Sequence, residues 1–151
     1  PKLTRNAIDE GGETANAADF PKINISARSR QILMHALDEA MNHPRGTAYE
    51  SRIMDPGRAA GGTTGTAQVR RITMLERESG VKKNKERPWR ERDHSLFVGY
   101  APVDQPRYAV SVVVEHGGGG SKTAAPIARD VLKEVQRVYG PGQLAKREAD
   151  R

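Results

Sequence analysis

The segment Arg107-Tyr-Ala-Val-Ser-Val-Val-Val-Glu115 limits the possible folds most strongly. Its β-branched run reads as a strand with apolar residues on both alternating faces: Val110, Val112 and Val114 on one, Ala109 and Val113 on the other. Such a strand is expected to be central in its sheet or covered by helices on both sides. Ahead of it stands His94-Ser-Leu-Phe-Val-Gly-Tyr-Ala101, and the five residues from Pro102 to Pro106 give the pair the spacing of a hairpin. After it come His116, four glycines and Ser121, which read as a flexible or tightly turning loop. The string matches a common synthetic linker, but strand and helix continue on either side of it, so it reads as native. Ile127, Ala128, Val131, Leu132, Val135 and Val138 then recur at helical spacing, which predicts a helix over 123–138. Pro126 falls in its first turn and Gly140-Pro141-Gly142 ends it.

Upstream, Ile32, Leu33, Ala36, Leu37, Ala40 and Met41 form one apolar stripe, predicting a helix over 27–42 with Ser26 as N-cap and Pro44 closing it. The stretch 43–62 is rich in Gly and Pro and reads as loop. Thr63 to Thr73 is β-branched and suits a strand. Leu75 to Asp93 carries twelve charges in nineteen residues. That is a long charged excursion, in which the lone Trp89 is expected to pin the loop onto the sheet. Residues 1–25 and 141–151 read as flexible ends. The elements amount to an antiparallel sheet flanked by helices, of α/β (α+β) class.

At 151 residues the chain fits one domain, with 36% hydrophobic and 5% aromatic residues, a thin supply for a core. That thinness implies long solvated segments or a piece of something larger. Absence of cysteine excludes disulfides, thiolate metal sites and a thiol nucleophile. No apolar run approaches a membrane span. The formal charge of +6 permits a nucleic-acid or anionic partner, yet acids interleave with the bases, which disfavours nucleic acid. The four histidines (His35, His43, His94, His116) show no metal-ligand spacing and read as structural.

Gly61-Gly62-Thr63-Thr64-Gly65-Thr66-Ala67-Gln68 resembles the Lys-Thr-Gly-Thr strand motif of serine penicillin-recognising enzymes. Trp89, Arg92 to Pro102, and Arg107 to Ser121 followed by Ala124-Ala-Pro-Ile-Ala128 resemble the next strands and C-terminal helix of class B penicillin-binding proteins. The likeness is to the penicillin-binding protein 2 type of alphaproteobacteria, the elongation-specific transpeptidase. It implies the C-terminal part of a transpeptidase fold that cross-links peptidoglycan stem peptides through an acyl-enzyme and is blocked by β-lactams. It also implies the periplasmic face of the inner membrane, with the anchor outside this chain, and no cofactor or metal.

By this resemblance Thr63, Thr64, Gly65 and Thr66 line the substrate site. The hydroxyls of Thr64 and Thr66 hold the substrate carboxylate, Gly65 permits close approach, and the Thr66 N–H is an oxyanion donor. The family also carries Ser-x-x-Lys with the nucleophile, and Ser-x-Asn. No Ser-x-Asn occurs here, and Ser79-Gly-Val-Lys82 lies in the charged excursion, so that match reads as coincidence. Thr63 replaces the motif lysine. The chain beginning at Pro1 is therefore expected to be inactive alone, with no catalytic residue beyond the Thr66 N–H. Its last strand, lacking a neighbour, is expected to pair in a homo-oligomer or with a companion chain carrying the missing half. A basic non-catalytic interaction module or inactive remnant is the alternative reading.

Overall fold

The computed structural model describes residues 23–140. The expected flexible ends fall mostly outside them: residues 1–22 and 141–151 are not described. The chain divides into two compact units, residues 1–31 and 32–151. Helix α1 (Ala27–Asn42) begins in the first and continues through residue 42 of the second; Ser26 caps it as expected, its Oγ accepting the Ser29 N–H at 3.0 Å. The rest of the fold belongs to the second.

Three antiparallel strands follow from the β-branched segments: β1 (Gly61–Ala67), β2 (His94–Ala101) and β3 (Tyr108–Val114), in the order β1-β2-β3. The register sets Phe97 opposite both Thr64 and Val112. The hairpin is where the spacing put it. β3, however, is an edge strand among the described residues and not a central one. Only the face bearing Val110, Val112 and Val114 meets the core, while Val113 is 60% exposed. The valines record what the strand can bury, and the described chain covers one face of it.

β1 also differs from the expected 63–73, starting two residues earlier and stopping at Ala67. Its opening glycines, which read as loop, are strand residues because aromatic rings of β2 cross over them. A Cβ on Gly61 would lie 2.9 Å from the Tyr100 ring, and one on Gly62 would run into Phe97. Glycine under a cross-strand aromatic ring keeps the sheet covered where its own side chain is missing.

Helix α2 (Met74–Ser79) stands where the excursion read as loop. The Thr73 hydroxyl accepts the Glu76 N–H at 3.3 Å, and the Glu76 carboxylate accepts the Thr73 N–H at 3.1 Å, a capping box. Two 3₁₀ turns follow, Asn84–Glu86 and Trp89–Glu91.

Helix α3 (Ala124–Tyr139) packs on the sheet through Ala124, Ala125, Ala128, Leu132 and Gln136. Of the apolar residues whose spacing predicted the helix, Leu132 faces the sheet, while Ile127 and Val131 lie on its flank, each 44% exposed. Alanines let the helix axis come close to the strands, so small residues occupy the contact and bulky ones are displaced. Phe97 and Leu132 are the large buried anchors, each contributing about 2 kcal/mol by burial. On α1 the expected stripe is buried only at Met41, with Ile32 and Leu33 more than half exposed.

Candidate active-site strand

Four residues singled out by sequence, Thr63, Thr64, Gly65 and Thr66, fall in consecutive positions on β1, the second edge of the sheet among the described residues. Thr63 and Thr66 are exposed, Thr64 and Gly65 half-buried. One side of β1 is paired with β2 along its whole length, and alternate residues of such a strand aim N–H and C=O away from the neighbour. The outer side is therefore a row of backbone donors and acceptors interspersed with threonine hydroxyls, suited to an extended peptide.

The strand is held from beneath. The glycine run after β3 is neither a tether nor a free loop: Gly120 passes so close that a Cβ on it would lie 2.5 Å from the Gly65 carbonyl oxygen and 2.6 Å from that of Leu96. Ser95, fully buried on β2, joins this segment to the sheet. Its hydroxyl donates to Gly119 O at 3.2 Å and accepts the Ala124 N–H at 3.0 Å, satisfying an orphan donor of α3. Thr47, from the loop after α1, meets the site from another side, its Oγ1 accepting a 3.1 Å hydrogen bond from the Thr64 hydroxyl. Sequence reasoning missed Ser95 and Thr47. Ser95 sits in an ordinary alternating strand, and Thr47 lies seventeen residues before its partner, so neither leaves a local signal.

Beyond β1 the excursion is a structured frame. The Arg70 guanidinium grips Glu76 with two hydrogen bonds, of 2.5 and 2.9 Å. That grip, with the Thr73 N–H, holds the Glu76 carboxyl at about 2, well below its ordinary value of 4.5. A depressed folded-state pKa contributes stability that is full above the ordinary value and is lost as pH falls through the folded one. The Arg70–Glu76 pair is thus expected to stay closed at pH 4 and to open as the pH approaches 2. A carboxyl ¹³C titration of Glu76 with its midpoint near 4.5 would contradict this.

Farther on, Arg87 is 8% exposed, its Nε donating to Lys82 O at 2.9 Å and its Nη1 lying 3.4 Å from Asp93. Asn84 completes the frame, donating to the Asp93 carboxylate at 3.1 Å and accepting the Asp93 N–H at 3.0 Å. Trp89 does not pin the loop onto the sheet. It is 57% exposed and stands edge-on to His116, with centroids 4.5 Å apart. The pin is the buried Arg87–Asp93 pair.

Ser79 and Lys82 are not brought together as a catalytic couple. The Ser79 hydroxyl donates to Leu75 O in its own helix at 2.7 Å. His94 and His116, far apart in sequence, are neighbours: His94 Nδ1 accepts the His116 N–H at 2.8 Å, at a backbone φ of 55°. Among the described residues no group of three or more possible metal ligands occurs.

The comparisons fit this geometry. Residues 1–133 match the family model described as the penicillin binding protein transpeptidase domain. The peptidoglycan D,D-transpeptidase MrdA of Haemophilus influenzae is 33% identical over 118 residues, 75% of this chain and 17% of that protein. The Escherichia coli MrdA is 32% identical over 137 residues, 89% of this chain and 21% of that one. The chain thus spans about a fifth of the length of these relatives. Among solved structures, the Helicobacter pylori PBP2–MreC complex matches with a TM-score of 0.63 and 26% identity, over 82% of this chain and 21% of that one. Pseudomonas aeruginosa PBP2 in complex with WCK 5153 gives 0.59 and 28%, over 83% and 24%. A family match over most of the sequence, with relatives of the same kind covering three quarters of it or more, means that this chain belongs to the transpeptidase domain family of the penicillin-binding proteins, in its class B, penicillin-binding protein 2 (MrdA) type.

Proposed function

We propose that the chain is the C-terminal portion of a peptidoglycan D,D-transpeptidase domain and forms one wall of its substrate cleft. The open outer edge of β1 supports this reading most directly. A stem peptide, or a β-lactam in its place, lies along that edge; the Thr64 and Thr66 hydroxyls take its carboxylate and the Thr66 N–H takes the developing oxyanion. Gly65 has no side chain to hold the ligand off. The serine nucleophile and its proton shuttle come from a segment other than these 151 residues, and the β3 edge is where a companion strand, or a second copy of the chain, is received. The site works at the periplasmic face of the inner membrane; no helix among the described residues is long and apolar enough to cross one.

Thr63 is the departure from the family pattern. A hydroxyl lends a neutral hydrogen bond where lysine would lend a charge-assisted one, about twice as strong. The test is covalent labelling with a fluorescent penicillin. The chain alone is expected to give no adduct; co-refolded with the upstream transpeptidase segment of a close relative, it is expected to restore labelling on that segment's serine. In that complex Thr63→Lys is expected to speed acylation about tenfold. Labelling of the isolated chain at Ser79, or an unchanged rate in Thr63→Lys, would overturn the assignment of these roles.

A further inference from the structure

A cleft in the described residues lies away from the candidate strand. It is a cavity of about 470 Å³ between the Pro56–Arg58 loop, the β2–β3 connection and the end of α3, and no β1 residue lines it. We propose that it is a second binding site, for a short zwitterionic peptide with a free amino group and a free carboxylate. The inference does not depend on the transpeptidase reading.

Three hydrogen bonds tie its walls to one another in pairs. Val103 N–H donates to Ala59 O at 2.8 Å, joining the connection to the loop. Gln136 Nε2 donates to Arg58 O at 3.1 Å, joining the helix to the loop. The Tyr108 hydroxyl donates to Tyr139 O at 2.6 Å, joining the strand to the helix end. The cleft is therefore pre-organised, and its volume is that of a small-ligand site.

Gln136 also lines the cleft. It is 3% exposed, and its Oε1 is buried without a hydrogen-bond partner among the described residues. Turning the amide over would set its oxygen against Arg58 O, so Nε2 is committed and the carbonyl is left over. A buried acceptor without a donor is costly, and a ligand N–H removes that cost. The exposed Asp104, and Gly140 at the carbonyl end of α3, also line the cleft and favour a cationic group within it. Arg58 and Arg107 also line the cleft, both exposed, and guanidinium groups select a carboxylate.

The test is titration of the full ¹⁵N-labelled chain with glycylglycine, N-acetyl-glycylglycine and glycylglycinamide. Glycylglycine is expected to give saturable shifts at Gly57, Arg58 and the Gln136 side-chain amide, with each blocked form bound about fivefold more weakly. Gln136→Leu is expected to weaken glycylglycine about fivefold. If that variant fails to fold, Arg107→Ala, an exposed position, still decides: it should abolish the preference for the acid over the amide. Absence of saturation by roughly 10 mM, equal binding of all three peptides, shifts confined to β1, or an undiminished acid preference in Arg107→Ala would each overturn the proposal.

Discussion

Asp93→Ala is expected to lower the unfolding free energy by about 3 kcal/mol, because it strands the Arg87 guanidinium in a site that is 8% exposed. Asn84 Nδ2 loses its acceptor in the same stroke, one of the two bonds that close the excursion onto the start of β2, while the Asp93 N–H keeps its bond to Asn84 Oδ1. Urea unfolding followed by far-UV circular dichroism measures the change. The double replacement Arg87→Met with Asp93→Leu tells the cause: removing both charges should recover most of the loss, since the penalty belongs to the unpaired cation. A single mutant within about 0.5 kcal/mol of the parent would mean that Arg87 simply turns out to water.

Gly120→Ala is expected to cost about as much, roughly 3 kcal/mol, through overpacking. The added methyl would meet the carbonyl oxygens of Gly65 and Leu96 at 2.5 and 2.6 Å, and backbone atoms cannot swing aside as a side chain can. The neighbouring Gly119 is the control. A Cβ there meets nothing within 4 Å, so Gly119→Ala should be nearly silent. Because the strain at position 120 falls on Gly65, it should also displace the candidate strand, seen as amide shifts through Thr63–Thr66. Equal thermal midpoints for the two alanine variants would refute this account of the glycine run.

The hairpin, α1 and α3 were legible because each is a local pattern: alternation, helical spacing, a capping serine and glycine at the ends. The candidate strand was legible for another reason, its short threonine–glycine string, which survives in sequence whatever packs around it. Less could be read where burial depended on who comes close. Ile127 and Val131 outrank alanine on any hydropathy count, yet the helix turns Ala124, Ala125 and Ala128 to the sheet, since close approach of two backbones rewards the smallest side chain. Gly61 and Gly62 read as loop because their partners, the Tyr100 and Phe97 rings, lie on another strand. The Thr73–Glu76 capping box was present as a four-residue signal and was masked by the charge density around it.

The sequence by itself determined α1, α3, the hairpin and the threonine-rich strand's place, since those rest on residue spacing and on motif residues that neighbours do not alter. Tertiary structure alone decided three things: that the glycine run is a packed support under Gly65, that the charged excursion is pinned by a buried Arg87–Asp93 pair and not by Trp89, and that Gln136 leaves an acceptor buried beside a cleft. Each depends on atoms brought together from distant parts of the chain. Close approach, desolvation and hydrogen-bond satisfaction are properties of such meetings, and no single stretch of residues contains them.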